Sequence, residues 1–99
     1  MANKPFTFFK KGNQYFIRTV THHYIGRLVH FVGKADDAKV IYLDKCSWVA
    51  DDGRFHEAMK NGTFSEVEPY PEKVVVAINM GAVIDCLVMS DVKLPSEVK

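Results

Sequence analysis

Apolar positions along this chain gather in short runs rich in aromatic and β-branched residues, separated by turn signals, with one segment at a helical period. Residues 14–21 are rich in aromatic and β-branched side chains (Tyr15, Phe16, Ile17, Thr19, Val20, Thr21), the types that suit a pleated, half-buried strand. A shorter β-like run at 6–9 precedes them across the turn residues Lys10-Lys11-Gly12-Asn13. Residues 24–33 read as the next strand, and Gly26 inside it signals a bulge or a sharp bend. A polar connection at 34–38 leads to a strand at 39–43. Asp44-Lys45 reads as a kink or tight turn before a further extended piece at 46–50. Phe55, Ala58 and Met59 then fall at i, i+3 and i+4, so a short helix is predicted. Asp51 or Asp52 is its expected cap and Gly62 its stop. Residues 63–73 hold Pro69 and Pro71 and read as an extended loop. The uniformly apolar run at 74–78 predicts a strand buried on both faces. A turn at Asn79-Met80-Gly81 and a last strand at 82–89 follow, and residues 91–99 read as a polar tail that frays.

The expected fold class is α+β, mostly β: a small curved antiparallel sheet or partly open barrel of five to six strands with one short helix. A flat sheet with the helix on one face, or a sheet completed by another subunit, are the alternatives. At 99 residues the chain is expected to form one domain over 1–99. Apolar residues at 47% and charged residues at 25% are ordinary globular values. The net charge of +1 disfavours a protein that works by counterion release at nucleic acid, or by electrostatic attraction to a membrane. No apolar run is long enough to span a membrane, and the first residues do not read as a signal peptide. The two cysteines, Cys46 and Cys86, form no zinc spacing and lie in apolar segments, so they read as buried free thiols of a reducing cytoplasm.

Candidate chemistry is sparse. There is no nucleophile elbow, phosphate loop or GxGxxG turn. No catalytic residue, metal site or cofactor is expected, and the protein is read as not an enzyme. His22 and His23 are adjacent, and adjacent strand residues point to opposite faces, so they cannot share an ion unless a turn reorients them. Asp85 lies in an apolar strand and reads as a structural carboxylate facing solvent or an arginine. Arg18 and Arg27 sit in apolar strands and need partners, with Asp85 and Glu57 as candidates and another subunit as the alternative. The segment Trp48-Val49-Ala50-Asp51-Asp52-Gly53-Arg54-Phe55 reads either as a strand-to-helix junction with Trp48 and Phe55 in the core, or as a pocket rim. In the second case an indole and a guanidinium grip a planar or anionic ligand. Arg18, His23, Tyr24, Trp48 and Arg54 are therefore the candidate ligand- or partner-binding residues. Seven Phe, four Tyr and one Trp exceed what so small a core is expected to hide, which points to a homo-oligomer.

The run Ile17-Arg18-Thr19-Val20-Thr21, then Tyr24-Ile25-Gly26-Arg27-Leu28, the Trp48-to-Phe55 segment and Ser65-Glu66-Val67-Glu68-Pro69-Tyr70 resemble a set of small uncharacterised proteins encoded by tailed bacteriophages and prophages. The likeness runs over residues 14–86 in order and spacing, and rests mainly on the Trp48-to-Phe55 segment. It implies a phage accessory protein in the host bacterial cytoplasm, and it brings no catalytic residues with it. The expected function is a non-enzymatic, oligomeric module that binds a host or phage protein. The alternatives are a binder that sequesters a nucleotide signal of antiviral defence, a nucleic-acid-binding small barrel, and a minor virion component.

Overall fold

The computed structural model describes residues 8–89 and 92–99. Its elements are β1 (Gln14–Thr19), β2 (His23–Lys34), β3 (Asp37–Asp51), α1 (Phe55–Asn61), β4 (Glu66–Pro69), β5 (Val76–Asn79), a 3-10 turn (Met80–Ala82) and β6 (Val83–Val88). All pairings are antiparallel, in the order β4-β3-β2-β1-β6, with β5 also on β3. This is the expected mostly-β architecture: one open sheet of six strands with one short helix.

The two extended pieces expected at 39–43 and 46–50 form one strand of 15 residues. The kink at Asp44-Lys45 is real but local, because Lys45 takes a positive φ of 46° within an unbroken ladder. Its cause lies across the sheet. Ile25 pairs with Ser47 and Arg27 with Asp44, so β3 carries one residue more than β2 at this point. Gly26 faces that bulge, where a Cβ would lie 3.1 Å from the Asp44 carbonyl and from Cys46 Cα. The two sequence signals, Gly26 and Asp44-Lys45, are therefore opposite sides of one bulge.

The length of β3 lets its outer edge take two short strands, β5 along Val40–Leu43 and β4 along Ser47–Asp51. The predicted connection at 34–38 shrinks to a tight turn, because Lys34 pairs with Asp37. The loop expected at 63–73 contains β4, which ends at Pro69, where a missing backbone donor is tolerated. The strand expected at 74–78 is displaced to Val76–Asn79 and only Ile78 in it is buried. Only one of its faces is covered: Val76 and Ile78 point inward, while Ala77 and Asn79 meet water, as does Val75 just before it. Of the run expected at 6–9, Phe6 and Thr7 lie outside the described residues. Phe8 and Phe9 are not in a strand, although Phe9 is buried beside Tyr15.

Alternation along the strands sends neighbouring side chains into two separate cores. Tyr15, Ile17, Leu28, Ile41, Leu43, Cys46 and Ile78 form one. Phe16, Ile25, Val49, Ala58, Phe64, Val67 and Met89 form the other, on the face covered by α1. Val76, Met80, Val83 and Cys86 pack on the first core, so the passage from β5 to β6 curls the sheet over that face. Residues 92–99, expected to fray, lie against the domain. Val92 and Leu94 pack on the second core, and Lys99 and Val67 exchange two backbone hydrogen bonds of 2.8 Å.

Candidate functional site

The register places Asp85, Arg18 and His23 in one row across β6, β1 and β2. Arg18 Nε donates to Asp85 Oδ1 at 2.7 Å, and Nη2 donates to the second carboxylate oxygen. Asp85 is thus the partner that Arg18 required within its own chain. Hydrogen bonding to Arg18 holds the Asp85 carboxyl below its ordinary range and lifts the guanidinium in return. The Arg18 guanidinium carbon lies 5.1 Å from the centre of the Phe55 ring at the start of α1. Next to it, His23 Nδ1 sits 3.0 Å from Asp52 Oδ1. Both contacts tie the segment before the helix to the sheet. They also explain why neither aspartate caps the helix as expected. Asp52 is taken by His23, and Asp51 accepts from the Gly53 amide at 2.8 Å. Arg54 stands at the cap position without a side-chain bond, and only the stop at Gly62 is as predicted. Arg27 pairs with Asp44 at 2.9 and 2.6 Å, not with Asp85 or Glu57.

The opposite face of the same strands carries Tyr24, paired in register with Trp48. The His22 ring leans on both, with centroids 5.7 Å from Trp48 and 6.1 Å from Tyr24. Beside Trp48 opens a cleft of about 270 Å³ lined by Trp48, Glu68, Pro69, Tyr70 and Pro71. Its wall is rigid for local reasons. Each proline fixes its own φ, and the Tyr70 amide donates to the Cys46 carbonyl at 2.9 Å, which ties the loop to β3. Burial, then the neighbouring Tyr24 and Cys46, raise the Tyr70 phenol above its ordinary value, so the ring is neutral at physiological pH. Trp48 Nε1 and Ser47 Oγ are buried without a hydrogen-bond partner among the described residues. An orphaned buried donor of this kind costs about 1–3 kcal/mol, so packing alone holds the indole in place.

The five residues singled out in the sequence therefore fall into separate groups. Arg18 and His23 share the helix-side face, and Tyr24 and Trp48 share the other. Arg54 is exposed at the start of α1 and does not line the Trp48 cleft. Phe55, a candidate core residue, is 41% exposed with its face given to Arg18. Glu68, Pro69 and Tyr70 were not among the candidates. Their signal in the sequence is Pro69-Tyr70-Pro71, an aromatic held between two rigid residues, inside a segment whose prolines predict only an extended loop. Both cysteines are free, and burial pushes each thiol up to about 12. Among the described residues no group of three His, Cys, Asp or Glu is placed to hold a metal. Among the described residues no helix is long and apolar enough to cross a membrane.

Among the described residues β6 pairs only with β1, so it is an open edge of the sheet, as β5 is. Its Ile84 and Val88 are 66% and 42% exposed, and Val20, next to the Thr19 that pairs with Val83, is 77% exposed. The described aromatic rings are, as expected, not all hidden by the core. Phe9, Tyr15, Phe16 and Phe64 are buried, Phe55 is exposed and the other described rings are half-buried, while the largest exposures belong to aliphatic side chains such as Val20 and Ile84.

No family model, no curated protein and no solved structure matches the chain.

Proposed function

We propose that the protein is a non-catalytic interaction module, a phage accessory protein that works as a homo-oligomer in the host bacterial cytoplasm and binds a host or phage protein. The observation that supports self-association is the β6 edge. Among the described residues its outer side has no partner strand, and Ile84, Val88 and Val20 are exposed beside it. It carries no lysine or proline, the usual guards of an open edge. The one charge on the strand, Asp85, is already engaged by Arg18. The phage setting rests on the resemblance of the Trp48-to-Phe55 segment.

The nucleotide-binding and nucleic-acid-binding readings draw less support from this geometry. Both need cations beside aromatic rings. Arg18 and Arg27 are bound to Asp85 and Asp44, and Arg54 is not at the Trp48 cleft.

Light scattering on a size-exclusion column tests the proposal. The wild type should elute as a multiple of 11.2 kDa, and Ile84→Lys should shift it towards the single chain while leaving the circular-dichroism spectrum unchanged. A wild type that stays monomeric as concentration is raised refutes self-association.

A further inference from the structure

The cleft beside Trp48 combines three features that recognise one kind of group. Trp48 and Tyr70 supply π-faces, which attract cations electrostatically, tryptophan most strongly. Glu68 supplies a carboxylate, and no basic side chain lines the cleft. Pro69 and Pro71 hold the wall in a preset shape, so little ordering entropy is lost when something enters. The volume of about 270 Å³ suits a side chain with a short stretch of backbone rather than a large cofactor.

The flanking charges point the same way without overwhelming it. Trp48 and Glu68 also border a neighbouring cleft with Glu66 and Lys99, and Tyr70 borders another with Glu72 and Lys45. The linings of the three clefts together hold three glutamates and two lysines. A phosphate-bearing ligand would meet Glu68 first, and no Arg or Lys of this cleft would receive it.

We propose that the Trp48 cleft is a binding site for a cationic peptide segment of a partner protein, with an arginine or lysine side chain laid on the Trp48 and Tyr70 rings against Glu68. This deepens the interaction-module reading by naming the chemistry of the partner. It uses the Trp48 side of β3, not the β6 edge, so the two can fail separately. Proline in the peptide would suit the site, since a preformed extended chain docks on aromatic and proline walls at low entropic cost.

Trp48 is the single tryptophan of the chain, so its fluorescence reads the site directly. A peptide of alternating arginine and proline, titrated into the full-length protein, should shift the emission saturably, and binding should weaken as salt rises. A peptide with glutamate in place of arginine should produce no shift. Glu68→Lys should weaken the arginine peptide about tenfold, and Glu68→Gln, the milder change, about two- to fivefold. Glu68 is exposed, so both variants should keep the wild-type circular-dichroism spectrum. The proposal is overturned by an unsaturable or absent response, by equal binding of the glutamate peptide, or by Glu68 variants that bind as the wild type does. It is also overturned if free arginine amide binds as tightly as the peptide, which would make the site one for a small cation. Ile84→Lys should bind the peptide normally. Loss of peptide binding in a protein that still self-associates removes this site and leaves the oligomer standing.

Discussion

Gly26→Ala should destabilise the fold through crowding alone. Gly26 does not have a positive φ, so alanine can adopt its backbone conformation. What it meets is the β3 bulge. The new methyl would lie 3.1 Å from the Asp44 carbonyl oxygen, from Cys46 Cα and from Cys46 Cβ, whereas comfortable contacts between carbons are about 3.5–4.0 Å. None of the three is the far end of a flexible side chain, so relief requires the two central strands to part. Overpacking of this sort costs about 1–3 kcal/mol. For a domain of this size that lowers Tm by roughly 4–24 °C. Urea unfolding of wild type and variant should show a lower midpoint with an unchanged slope. Trimming Cys46 to alanine keeps its Cβ, so the double variant should be no better than additive. Gly12→Ala is the contrasting control. Gly12 has φ of 94° with open space around it, so its cost is conformational, about 1–2 kcal/mol. If Gly26→Ala is as stable as wild type to within about 0.5 kcal/mol, the bulge is not the tight contact described here.

Two further outcomes follow from the buried and paired groups. Cys46 and Cys86, both with thiols pushed up to about 12, should resist Ellman's reagent at neutral pH while the protein is folded and react fully in denaturant; a rapid reaction in the native state would contradict their burial. Asp85 has a folded pKa below its ordinary value of 3.8. Its pairing with Arg18 therefore stabilises above that value and is lost as pH falls through the folded one. Asp85→Asn should lower the urea midpoint at neutral pH and approach the wild type in acid, and a gap that widens in acid would reverse the assignment.

Much of the architecture is legible because runs of aromatic and β-branched residues between turn signals report directly on strands. The turn at residues 10–13, the helix stripe through Ala58 and the stop at Gly62 all act through neighbours in sequence. What was not legible depended on pairing. Gly26 and Lys45 are nineteen positions apart, and only the register between β2 and β3 shows that they share one irregularity. The caps expected of Asp51 and Asp52 failed because His23 and the Gly53 amide are competing partners that spacing does not reveal. Strand parity also split the candidate site. Tyr24 follows His23 directly, yet one residue faces Trp48 and the other faces Asp52. Burial of β5 was overread because an apolar run looks alike in a central strand and at an edge.

The pairing of β1 with β6 has a consequence for how the chain comes into being. Arg18 and Asp85 are 67 positions apart, whereas β1, β2 and β3 follow one another with short turns. On a ribosome, therefore, the first three strands emerge and can zip together while one flank of the meander is still bare. Synthesis leaves that flank, with its unanswered guanidinium, waiting for nearly the whole remaining length of the polypeptide. A pause between the third strand and the last would prolong the interval in which nascent chains can join to one another instead of closing upon themselves.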